Sequence, residues 1–208
     1  MADDTLQLSP TQIVDERPFT HPTCLDEDRA VLASILECLR GKMHTPAGVP
    51  DGPCPMVILE NGQDGRRRRV VICDPEQLAA DRPITVVGFF GLRRPGVDRT
   101  PLDRVDEELI AGFPKYPGVL SYCSFQQASG DWANLVLLRG PADLDHWSTS
   151  PRHAFAAKAM APDYYLYVRL HNACLEGGVL SRSEIVFQRT KYFDFQETPP
   201  WRAIRELI

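Results

Sequence analysis

Residues 146–156 read HWSTSPRHAFA, which places two histidines and a tryptophan within eight positions around a Ser-Pro helix start. His153 is the third residue of a helix that begins at Pro151. Ala154, Ala156, Ala157 and Ala159 surround it, with Phe155 between. Small side chains beside a histidine let a large flat ligand, or a neighbouring backbone, come close. A neutral imidazole is a good ligand for haem iron, provided an acceptor orients its second nitrogen. The alternative is a half-exposed histidine on an alanine-rich helix. His146 is read as solvated near a helix start. Trp147 is read as an anchor between helix and sheet, worth roughly 2–3 kcal/mol if fully buried.

A second constellation lies in DYYLYVRLHNACLEGG. Read as a strand, this run puts Tyr165, Tyr167, Arg169 and His171 on one face, and Leu166, Val168 and Leu170 on the other. Read as a helix, it groups Tyr164, Tyr167, Val168, His171 and Leu175. Aromatic and β-branched residues favour the strand. If that face is open, phenols, a guanidinium and an imidazole line a pocket that clamps a carboxylate. The plainer reading is a polar sheet edge with internal hydrogen bonds.

The elements that must position these residues follow from pattern. Residues 1–24 are rich in Pro, Thr and Asp and read as extended over the surface. LDEDRAVLASILECLRG carries Leu25, Val31, Leu32, Ile35, Leu36 and Leu39 at helical spacing, and Gly41 is a stop. Residues 42–55 hold four prolines and read as a loop. MVILENGQDGRRRRVVICD is a hairpin around NGQDG, and Arg66 to Arg69 is read as its charged turn. ITVVGFFGLRR is a buried strand. Thr100-Pro101 opens a helix with Leu102, Val105, Leu109 and Ile110 on one side. VLSYCSFQQ and WANLVLLRG are paired strands, and packing is the default for Trp132. PADLDHWSTS and SPRHAFAAKAM are helical, with Ser150 as N-cap. EIVFQRTKYFDF is a strand, and WRAIRELI a short helix or docked tail.

Residues 84–195 therefore run β-α-β-β-α-β-β. This order predicts an α+β, ferredoxin-like antiparallel sheet with its helices on one face. Residues 1–80 form an N-terminal helix and β-hairpin extension, and residues 196–208 a C-terminal tail. A sheet face left bare needs a partner, and a second copy would supply one in a homodimer.

LDHWSTSPRHAFA resembles the haem-binding helix of the aldoxime dehydratases. In that family a tryptophan is followed, after a short polar spacer, by Pro-x-His, and the histidine is the axial haem ligand. The matching residues are Trp147, Ser148-Thr149-Ser150 and Pro151-Arg152-His153. YVRLHNACL resembles the strand after that helix. The later histidine-containing segment that supplies the family's distal acid–base group has no counterpart here. More broadly, residues 84–195 resemble the dimeric α/β-barrel superfamily, which includes antibiotic-biosynthesis and haem-degrading monooxygenases and chlorite dismutase-like proteins. The resemblance implies haem held by His153 as the metal ligand beside Trp147; the strand reading adds Tyr165 and Tyr167 to the cofactor site and Arg169 and His171 as catalytic candidates.

Other classes are excluded or disfavoured. The net charge of −5 gives no overall basic footprint for nucleic acid. No stretch approaches the roughly 18–20 apolar residues of a membrane span, and MADDTLQLSP lacks the features of a secretory signal. The six cysteines form no CxxC pair, so free thiols in the cytoplasm are expected. Cys123 reads as a buried structural thiol. There is no P-loop, GxGxxG or G-x-S-x-G motif, and Gly88 and Gly91 read as points of close approach to a strand. Three functions stay open: a haem-dependent lyase or monooxygenase acting on a small molecule, a cofactor-independent monooxygenase or isomerase using Tyr165, Tyr167, Arg169 and His171, and a non-catalytic small-molecule-binding dimer.

Overall fold

The computed structural model describes residues 5–44 and 54–208. Most of the loop expected over 42–55 lies outside the described residues. Among the described residues nine strands form one mixed sheet: β1 (Leu6–Leu8), β2 (Met56–Asn61), β3 (Arg67–Ile72), β4 (Ile84–Arg93), β5 (Val119–Gln126), β6 (Trp132–Leu138), β7 (Tyr165–Leu175), β8 (Ile185–Asp194) and β9 (Trp201–Glu206). Their spatial order is β1-β9-β8-β7-β4-β6-β5-β3-β2. The helices are α1 (Thr23–Met43), α2 (Pro75–Ala79), α3 (Thr100–Gly112), α4 (Pro141–Ser148), α5 (Pro151–Phe155) and α6 (Ala161–Tyr164), with a π-helical turn at Ala156–Met160.

The central strands β7-β4-β6-β5 are antiparallel, joined through α3 and through α4 to α6, which is the ferredoxin-like order expected over 84–195. The run from Tyr165 is a strand, as its aromatic and β-branched content required. The hairpin β2–β3 extends one edge through β3 on β5. On the other edge, β8, β9 and β1 follow β7.

Three expectations are corrected. WRAIRELI is strand β9. It alternates, with Ala203 and Arg205 inward, and the buried Arg205 donates to the carbonyls of Ser9, Pro10, Gln12 and Thr20 at 2.6–2.8 Å. A buried cation with a full set of acceptors outweighs the helix propensity of the segment. The same bonds tie down the N-terminal segment, which runs extended and mostly exposed as expected, with Leu6–Leu8 paired to β9. Most of the arginine run is strand β3, because Gly62 to Arg66 already turn the chain.

The third correction concerns the sheet face opposite α3–α6. The sequence pattern leaves it bare for a second copy, but α1 lies across it. Leu25, Leu32, Ile35, Leu36, Leu39 and Met43 pack against Val70, Ile84, Val86, Leu135, Ala173 and Phe187 in the larger core cluster. The helix and that face are both apolar, and they satisfy each other within one chain. The argument for a dimer from an uncovered face therefore falls. Gly88 lets the helix approach: a Cβ there would stand 2.5 Å from Leu32 Cδ1.

Leu32 is fully buried at this contact. Leu32→Ala is expected to lower stability by about 2–5 kcal/mol, read as a shifted urea midpoint. A variant as stable as the parent would mean that α1 is not clamped on the sheet.

Candidate functional site

Between the other sheet face and the helical layer lies a cavity of about 570 Å³, within the roughly 300–1,000 Å³ of small-molecule sites. Its floor is the outward row of the strands: Val87 and Phe89 on β4, Tyr122 and Ser124 on β5, Asn134 and Val136 on β6. Its roof is α3 together with Trp147, His153, Ala156, Ala157, Ala161 and Tyr164.

His153 is placed by its own helix start. Ser150 caps α5, its hydroxyl accepting from the His153 backbone N–H at 3.3 Å, and Pro151 occupies the first turn. The chain bends between α4 and α5, which brings the Ser148 carbonyl to 3.2 Å from His153 Nδ1. A carbonyl only accepts, so Nδ1 carries the proton and Nε2 keeps its lone pair. The ring packs on Trp147 at 4.4 Å between centroids, and Trp147 is buried against Val71, Val87, Val136 and Leu138. Burial pushes the imidazole below the ordinary histidine value, against the Ser148 bond that favours its charged form. The π-helical turn follows immediately. Such turns recur at functional sites, and here Ala156 and Ala157 from this turn line the cavity.

The tyrosines, Arg169 and His171 do not share one pocket. A register shift opposite Leu92 and Arg93 inserts Leu166 as an extra residue in β7. Tyr165 consequently lines the cavity, packed on Phe89 at 5.4 Å, where the missing side chain of Gly91 leaves room for its ring. Tyr167 stacks on Phe19 at 4.3 Å, outside the cavity. Arg169 and His171 lie beneath α1. Arg169 grips Asp28 through two bonds of 2.6 and 2.7 Å. His171 is fully buried, donates from Nε2 to Asp28 at 2.9 Å, and accepts at Nδ1 from the Thr190 hydroxyl at 2.8 Å. Phe187 stacks on its ring at 4.4 Å. The expectation of an open carboxylate clamp is corrected: the carboxylate in question is Asp28 of the same chain, and it occupies both residues. This removes the four-residue pocket on which the cofactor-independent reading depended.

Asp28 has a sequence signal. It falls on the apolar stripe of α1 between Leu25 and Leu32, where an acid needs a buried partner. The cavity also contains residues that the sequence reading passed over. Arg69 binds Asp106 and donates to Ser124 Oγ at 3.1 Å, while the buried Tyr122 hydroxyl donates to the same Asp106 at 2.8 Å. Their signal is parity: in a strand, Arg67 and Arg69 share the face of Val71, and that face is the covered one. Cys123 is a buried free thiol, pushed up to about 12 by burial, as expected of a structural cysteine. Among the described residues no group of three or more His, Cys, Asp or Glu gathers as a metal site, so a metal here would depend on a single histidine.

No family model matches the chain, and no curated protein matches it. Low-scoring likenesses to solved structures exist. Protein PA3566 from Pseudomonas aeruginosa is 18% identical, with a TM-score of 0.38, over 45% of this chain and 93% of that one. Protein SO0527 from Shewanella oneidensis is 13% identical, with a TM-score of 0.37, over the same shares. An aldoxime dehydratase is 14% identical, with a TM-score of 0.28, over 70% of this chain and 36% of that one. Likenesses at this level carry no argument about function, which rests on the cavity itself. No helix among the described residues is long and apolar enough to cross a membrane.

Two measurements test this geometry. Nitrogen-detected NMR of labelled histidine is expected to show His153 as the Nδ1–H tautomer at neutral pH, titrating below 6.5; an Nε2–H tautomer would refute the bond to Ser148. The Asp28 cluster is expected to make the fold acid-labile. Burial holds His171 below its ordinary 6.5. Burial raises Asp28, but its bonds to His171 and Arg169 outweigh this and leave it below 3.8. Both folded values are depressed. Stability is therefore full above pH 6.5, falls below that as His171 resists its proton, and falls again below 3.8 as Asp28 protonates. Asp28→Asn is expected to cost about 3–5 kcal/mol at pH 7. Urea midpoints that stay flat from pH 7 down to pH 4 would count against this account.

Proposed function

We propose that this chain binds haem with His153 as the axial ligand, and that it is a haem-dependent enzyme of lyase or monooxygenase type acting on a small organic molecule. One observation carries the reading. His153 Nδ1 is engaged by a backbone carbonyl, which leaves Nε2 as the free nitrogen of a neutral ring that lines a cavity of ligand size. A carbonyl acceptor on the far nitrogen is the arrangement that orients a ligating histidine and raises its basicity.

The lining close to His153 fits a flat apolar group. Ala156, Ala157 and Ala161 keep the roof shallow, while Val87, Val136, Leu170 and Trp147 supply apolar walls that exclude water. Bound haem supplies the redox and Lewis-acid chemistry. The protein's own part is to hold the axial position, keep the site dry, and present Tyr122. Burial, together with the neighbouring Asp106 carboxylate, holds the Tyr122 hydroxyl far above the ordinary tyrosine value. It therefore keeps its proton at neutral pH, donated to Asp106, and leaves its oxygen to accept from a polar substrate atom.

Protein titrated with haemin is expected to develop a Soret band at one equivalent. His153→Ala is expected to weaken haemin binding by at least about tenfold and to shift the band. A spectrum that shows no response to haemin, or an unchanged spectrum in His153→Ala, would reject the reading.

A further inference from the structure

Two buried donors without an acceptor line the cavity: the indole N–H of Trp132 and the Nε–H of Arg69. Buried polar hydrogens in a folded chain are almost always paired, so two in one cavity need an explanation. Sheet register places them together at one end. Arg69 stands opposite Ser124, and Ser124 opposite Asn134. Arg67 lies two residues toward the strand start on the same face, and Trp132 lies opposite Gln126. The Arg67 and Arg99 guanidiniums sit 5.6 and 4.5 Å from the centre of the Trp132 ring.

Four of the acidic groups nearby are engaged, and a fifth, Glu107, is exposed to solvent. Asp106 is held by Arg69 and Tyr122, Asp103 by Arg99, and Glu60 by Lys42, while Asp131 accepts from the Arg93 backbone N–H. Among the described residues Arg67 has no carboxylate partner. The donors left over are all hydrogen-bond donors, two of them cationic, and they surround a wall of the cavity. His153 lies instead beside Trp147, whose apolar cluster includes Val136 and Leu138 at the other end of β6.

From this polarity we infer that the Trp132 end is a carboxylate-binding subsite, and that the ligand of the cavity is a flat ring system bearing acidic side groups. The acidic edge pairs with Trp132 Nε1, Arg67 and Arg69, and the ring extends toward His153. Charge-assisted bonds from guanidinium and indole N–H to a carboxylate satisfy the donors that the protein leaves open. The inference deepens the haem reading and rests on it for the direction of the ring; the donors themselves do not depend on iron.

The test uses iron-free protoporphyrin IX and its dimethyl ester, followed by quenching of tryptophan fluorescence in the full chain. Neither probe needs an axial ligand, so this experiment is separate from the haemin titration. Wild-type protein is expected to bind the diacid at least about tenfold more tightly than the ester, the weight of a hydrogen bond to a charged group. Trp132→Phe and Arg67→Gln keep the ring packing and replace an exposed side chain, respectively. Each is expected to weaken the diacid about fivefold to tenfold and to leave the ester unchanged. Equal affinity for diacid and ester, no effect of either substitution, or no binding of either porphyrin would each overturn the inference. Loss of haemin coordination with the diacid preference intact would reject the metal reading and retain this one.

Discussion

The clamp between Asp28 of α1 and the Arg169–His171 pair of β7 sets which face of the sheet is free for function. It pins a long apolar helix over one side of the central strands, and one chain thereby fills the space that the bare-face argument assigned to a partner. A carboxylate there is tolerable only because it accepts from a guanidinium twice and from an imidazole once, with Thr190 closing the network. Everything that could carry chemistry is thereby displaced to the opposite face, beneath α3 to α6.

On that face the packing is incomplete by composition. Trp147 fills the inner part of the helix–sheet interface, but the following segment presents alanines where larger side chains would close the gap. A π-helical turn in the same stretch changes the phase of the helix just after His153. The void has two unlike ends. A neutral imidazole and apolar walls mark one; indole and guanidinium donors mark the other. Such polarity would orient a flat ligand with an acidic edge.

Local pattern carried the reading where backbone propensity and burial agreed. Ser150-Pro151 capped and opened the helix that holds His153, and Trp147 proved to be the buried anchor expected of it. The alternating Tyr165 run was a strand. The reading failed where a polar side chain's partner lay far away in sequence. Arg169 and His171 looked free because Asp28 is more than 140 residues earlier. WRAIRELI looked helical because the carbonyls that satisfy Arg205 belong to the N-terminal segment. Tyr165 left its predicted companions because one extra residue in β7 altered the alternation, and bulges leave little trace in a periodic pattern.

The amino-acid sequence by itself determined the order of strands and helices over residues 84–195, the ferredoxin-like core and the capped helix bearing His153, since these depend on contacts within a few residues and on which side chains avoid water. Only the tertiary structure decided that α1 covers the second face, that Arg169 and His171 are consumed by Asp28, and that Arg67, Arg69 and Trp132 meet one cavity. Those outcomes depend on pairings across strands distant in sequence, where geometry chooses among several chemically equivalent partners.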